Sequence, residues 1–134
     1  MELKLEHLTK RYGDNAALDD VTITLTPGIY GLLGANGAGK STLMSLITDN
    51  VKRSGGSIRF DGEDILSLGD KFRSKLGYMP QQQGVYEQMT AESFIENIGR
   101  IKGLKGRELR AQTETVLELV NLSDVRHKKV GGFS

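Results

Sequence analysis

Eight consecutive residues carry the most direct chemistry in this chain: Gly34-Ala35-Asn36-Gly37-Ala38-Gly39-Lys40-Ser41. They match Gly-x-x-x-x-Gly-Lys-Ser/Thr at every specified position. Glycines let a backbone take positive φ and bring successive N–H groups onto phosphate oxygens. Lys40 supplies a point charge for β- and γ-phosphates through charge-assisted hydrogen bonds, about twice as strong as neutral ones. The Ser41 hydroxyl is placed to ligate Mg²⁺, and Thr42 can donate to an α-phosphate. The block implies a nucleoside triphosphate site. The bland alternative is a glycine-rich turn with a solvated lysine, and the flanking sequence speaks against it.

Such a loop works only between a strand and a helix. The apolar run Ile29-Tyr30-Gly31-Leu32-Leu33, bounded by Pro27-Gly28, predicts a buried strand before it. Ser41 to Thr48 predicts the helix, with Leu43, Met44, Leu46 and Ile47 on one face. Upstream, Leu3 and Leu5 alternate with Lys4 and Glu6, giving a half-buried strand that ends near Lys10. Val21, Ile23 and Leu25 alternate with threonines in a second strand. Ser57 to Phe60 makes a third, between Gly55-Gly56 and an Asp61-Gly62 turn, and the three predict an antiparallel layer. Leu76 to Met79 reads as a short strand stopped by Pro80. Beyond it, Thr90 is the expected N-cap of a helix with Phe94, Ile95, Ile98 and Ile101 apolar, ending near Gly103. A second helix is expected from about Arg107 to Val120, with Leu109, Val116, Leu117 and Val120 inward. Asn121 is its expected C-cap, and Ser123 the cap of one last turn.

Composition bounds the partners. With 134 residues, 37% of them apolar, the chain suits one globular domain or part of a larger one. A formal charge of +1 gives no electrostatic case for nucleic acid or an anionic membrane. The absence of cysteine excludes disulfides and thiolate metal sites. No apolar run reaches the length of a membrane span, and no signal peptide is visible. His7 and His127 have no ligand-spaced partners and read as surface or packing residues.

From Leu3 to Ser134 the chain resembles the first part of an ABC-transporter ATPase subunit. Its wording (Leu-Leu-Gly-Ala-Asn-Gly-Ala-Gly-Lys-Ser-Thr-Leu-Met, then Gly-Tyr-Met-Pro-Gln) is most similar to bacterial exporters of the ABC-2 type. The implied fold class is α/β, a P-loop NTPase of ABC ATPase type: an antiparallel β layer, a partial parallel core and a helical subdomain. The implied division is a β-layer and P-loop core to about residue 88 and a helical subdomain over about 89–130. The resemblance implies ATP and Mg²⁺ as ligands, with Gly34 through Thr42 gripping the nucleotide. It places Tyr12, in Lys10-Arg11-Tyr12-Gly13, at the family's adenine-stacking aromatic, where a ring is worth roughly 1–3 kcal/mol. Standing alone, Tyr12 would read as a surface tyrosine; its place ahead of the loop selects stacking. The end of Leu76-Gly77-Tyr78-Met79-Pro80 assigns the family's loop glutamine to Gln81, ahead of Gln82 and Gln83, as a Mg²⁺ ligand or water-orienting group. Lys40 and Gln81 thus take the catalytic roles, and Ser41 and Gln81 the metal.

The partners implied are a transmembrane permease, docking on the segment from Gly84 to Thr90, and a second ATPase subunit closing an ATP sandwich. Val85, Tyr86 and Met89 fit either an exposed docking groove or simple packing on the helices. The implied location is cytoplasmic, on the inner face of the cell membrane, with no nucleic acid bound. The family's signature motif would begin at about Phe133-Ser134, and its catalytic glutamate and switch histidine lie further on. The chain therefore reads as the amino-terminal part of a subunit, truncated before the signature. The complete subunit is expected to hydrolyse ATP, and this part to turn over negligibly. Two other readings stay open: a soluble ABC-type ATPase without a membrane partner, and a nucleotide-binding fragment without turnover. A small GTPase or nucleotide kinase is disfavoured, since no Asn-Lys-x-Asp and no arginine-rich lid follow the loop.

Overall fold

Alternation at Leu3 to Glu6 builds the first strand, β1 (Leu3–Tyr12), but does not persist along it. His7 takes φ 51° and the ladder shifts register between Leu5 and Leu8. The bulge flips the parity of the pleat, so Leu5 and Leu8, three apart, are both buried. The computed structural model describes residues 1–80 and 86–133, which fall into two compact units, Met1–Tyr78 and Met79–Ser134.

In the first unit a Gly13-Asp14 hairpin turn returns β1 into β2 (Asn15–Leu25). The helix α1 (Lys40–Ile47) follows, then β3 (Gly55–Phe60) and the short β4 (Glu63–Asp64). The sheet has the order β2-β1-β3-β4 with every pair antiparallel. The antiparallel layer expected from the sequence is therefore present. Two short helices, α2 (Ile65–Leu68) and α3 (Asp70–Lys75), complete the unit; the sequence reading did not anticipate them. Asp64 caps α2 by accepting from the Leu66 N–H at 3.0 Å. Their buried residues, Ile65 and Phe72, join Leu5, Leu8, Leu18, Leu46 and Ile58 in one core. Phe72 meets Phe60 edge-on at 5.6 Å between ring centroids. On α1, Leu46 is buried and Leu43 and Ile47 pack against the core, whereas Met44 points outward.

Neither expected parallel strand forms. Residues 29–33 and 76–79 carry no ladder among the described residues, and Ile29 and Leu33 lie exposed. A strand exists through its neighbour's N–H and C=O groups, and no assigned strand flanks either run. Tyr30 instead hooks back, its hydroxyl accepting from the Thr26 N–H and donating to the Thr26 carbonyl, both at 3.1 Å.

In the second unit, α4 (Ala91–Ile101) and α5 (Gly106–Leu119) pack together, and Ala91, Leu109, Thr113 and Leu117 are their buried residues. Thr90 is the N-cap, as expected, accepting from the Ser93 N–H at 3.2 Å. Gly99 permits the close pairing, because a Cβ there would press on Leu109. The buried stripe of α5 runs 109, 113, 117. Val116 and Val120, expected inward, are exposed, since a strict i+4 row takes Thr113 instead. The cap residue of α5 is Val120, with Asn121 beyond it at φ 56°. Ser123 opens a 3₁₀ turn, Ser123–Val125, without capping it.

Candidate functional site

Two left-handed residues shape the loop ahead of α1. Gly37 has φ 83° and Gly39 φ 81°, a region that side chains rarely enter. The Ala38 N–H closes a turn on the Ala35 carbonyl at 3.2 Å. Gly39 is the N-cap, and it offers no side-chain acceptor to the helix. The first helical bond runs from the Leu43 N–H to the Gly39 carbonyl at 2.8 Å. The N–H groups from Gly39 to Thr42 precede any intrahelical acceptor, and no acidic residue occupies the first turn. These donors, with the positive end of the helix, form a site that suits an anion.

Lys40 is held inside the loop rather than extended from it. Its Nζ donates to the carbonyls of Gly34 and Ala35, each at 2.6 Å. An ammonium has three donors, so one N–H is left for a ligand in the loop. Ser41 is exposed and Thr42 half-buried, both in the first turn of α1. Among the described residues no cluster of three or more His, Asp or Glu is assembled to hold a metal. A cation here would rest on the Ser41 hydroxyl and on its ligand's own oxygens, which suits a hard ion such as Mg²⁺.

The loop sits against β2. A Cβ built on Gly39 would collide with the Ala17 carbonyl oxygen, and the Leu18 Cδ1 would lie 3.2 Å away. Asn15, two residues before Ala17, pairs with Tyr12 across the hairpin. The glycine loop and Tyr12 are therefore seated on the same end of the β1–β2 ladder. Tyr12 is 51% exposed, and the Lys10 Nζ lies 4.7 Å from its ring centroid. The sequence reading missed Ala17, whose role exists only once Gly39 is folded against it. It missed Lys10 too, although the two-residue spacing to Tyr12 was visible.

Gln81 lies outside the described residues, as do Gly84 and Val85. Of the segment that follows, Tyr86 is exposed and Met89 half-buried. Glu87, Met89, Ala91 and Glu92 hydrogen-bond through their backbones to Gly131, Val130, Lys128 and Arg126. Arg126 also binds the carboxylates of Glu92 at 2.8 Å and Glu114 at 2.7 Å.

The family model described as ABC transporter matches residues 18–134. The chain belongs to the ABC transporter family. It is 34% identical over 133 residues to the uncharacterized ABC transporter ATP-binding protein YhaQ of Bacillus subtilis, covering 98% of this chain and 44% of that protein. It is 33% identical to the daunorubicin resistance ATP-binding protein DrrA2 of Streptomyces coeruleorubidus, covering 98% of this chain and 41% of that one. A solved ATP-binding subunit of an ABC transporter superposes with a TM-score of 0.84 at 25% identity, covering all of this chain and 56% of its own. This ABC-family chain thus spans about half the length of the relatives it matches. Its fold is that of an ABC nucleotide-binding domain in part, with the antiparallel sheet as its assigned β structure. No helix among the described residues is long and apolar enough to cross a membrane.

Proposed function

We propose that Gly34 to Thr42 grips the triphosphate of MgATP and that the chain is the nucleotide-gripping part of a transport ATPase. One observation carries this reading. The N-terminus of α1 has no side-chain cap and no acid in its first turn, and Lys40 is anchored beside it by two loop carbonyls. The N–H groups of residues 37–42 would surround the β- and γ-phosphates, and the third Lys40 donor would reach them. Ser41 would hold Mg²⁺, with Gln81 as the second protein ligand; the ion, when bound, neutralises charge between the β- and γ-phosphates. Tyr12 would stack on adenine.

In the complete subunit, Gln81 would orient the attacking water and Lys40 would stabilise charge on the transferred phosphoryl. We assign residues to about 88 to nucleotide gripping and about 89–130 to a helical part. The segment from Gly84 to Thr90 would then meet a transmembrane permease at the inner face of the membrane, and a second ATPase subunit would close over the nucleotide. The relatives' names as ATP-binding proteins, one of them for daunorubicin resistance, support this direction.

Calorimetric titration of MgATP tests the reading. Wild type should bind, and Lys40→Ala should weaken binding about 10- to 100-fold, the range for hydrogen bonds to charged groups. Equal affinities would refute it. A parallel phosphate-release assay on residues 1–134 should read at background.

A further inference from the structure

Two residues before Tyr12 on β1, Lys10 places its Nζ 4.7 Å from the tyrosine ring centroid. That is inside the range of about 6 Å over which an ammonium is attracted to an aromatic face. The same Nζ donates to the Lys52 carbonyl at 2.7 Å, so the ammonium is anchored by a residue 42 positions away. With Lys10 over one face and the tyrosine half exposed, the opposite face is the surface left for a stacking partner.

We propose that Lys10 is a positioning residue for nucleotide binding: it fixes the Tyr12 ring and covers one face, so that a purine stacks on the other. The proposal rests on the reading of Tyr12 given above. Two physical effects act together. Anchoring removes rotamer freedom from the ring before the ligand arrives, which lowers the ordering cost of binding. The cation also draws π density toward itself, leaving the opposite face less negative and better matched to an electron-rich purine. Lys10 acts through Tyr12 and need not touch the nucleotide.

The test uses the protein at its natural full length, with Lys10→Met, Lys10→Arg, Tyr12→Ala and the Lys10→Met/Tyr12→Ala double variant, each checked for an unchanged melting temperature. MgATP and magnesium tripolyphosphate are titrated into each. Lys10→Met should weaken MgATP about two- to fivefold, the range for an exposed cation–π contact. Tripolyphosphate affinity should not change, Lys10→Arg should bind MgATP as wild type does, and the double variant should be no weaker than Tyr12→Ala. Unchanged MgATP affinity in Lys10→Met overturns the proposal, as does an equal loss for both ligands or a full effect persisting without Tyr12. Wild-type binding by Tyr12→Ala overturns it while leaving the phosphate loop intact. Folded wild type that binds neither ligand overturns the parent reading as well.

Discussion

Gly37 and Gly39 hold almost the same φ, yet the fold demands glycine for different reasons. Around Gly37 an added Cβ meets nothing within 4 Å, so only the left-handed backbone resists it. Gly37→Ala should therefore lower stability by about 1–2 kcal/mol, the cost of that conformation for an L-residue. At Gly39 the added carbon would strike the Ala17 carbonyl, which is backbone of β2 rather than the end of a flexible side chain. Gly39→Ala should destabilise the first unit by clearly more than Gly37→Ala and displace the start of α1. Thermal unfolding of both variants checks the order; equal losses would mean the loop is not seated on β2. The motif fixes Gly39 by spacing, while Gly37 falls at one of its unspecified positions. It could not rank them, because the rank depends on a strand about twenty residues upstream.

At the scale of elements, what was legible followed from local chemistry. The antiparallel β1–β2 pair was signalled by alternation in both strands, and the start of α4 by Thr90. The start of α1 was signalled by the loop itself. The misses share a cause in long-range partners. Residues 29–33 have the composition of a buried strand, but a strand needs a neighbour and none is assigned beside it. The helices α2 and α3 went unread although Ile65, Leu68 and Phe72 fall at helical spacing after the capping Asp64. In the second unit, Arg126 draws together Glu92 on α4 and Glu114 on α5. Its guanidinium holds the Glu114 carboxyl below the usual glutamate range. In the first unit, burial pushes Asp64 up but is outweighed by the Leu66 N–H and by Arg53, so it too lies low. A carboxylate lowered by folding contributes stability that is complete above its unfolded pKa and is lost as pH falls through the folded value. Melting temperature should accordingly fall as pH drops below about 4, near the ordinary carboxylate range. Glu114→Gln should melt lower at neutral pH and show a shallower acid slope. An unchanged slope would mean that the Arg126 contact does not persist in solution.

For the whole molecule, the first unit keeps a solvent-facing apolar run with free backbone groups. Leu33 is 92% exposed and Ile29 entirely so. Such a surface favours association, much as an unprotected sheet edge does. Residues 1–134 alone should therefore sediment as more than a monomer at micromolar concentration, and Ile29→Lys with Leu33→Lys should shift the population toward monomer. A monodisperse wild-type monomer would contradict this. The central claim is narrower: the backbone from Gly37 to Thr42 is the phosphate cradle. Amide hydrogen exchange with and without saturating MgATP tests it most directly. Slowed exchange concentrated at residues 37–42, requiring about 10- to 100-fold more MgATP in Lys40→Ala, is the predicted result. Unchanged exchange there, with MgATP demonstrably bound, would place the nucleotide elsewhere and contradict the account.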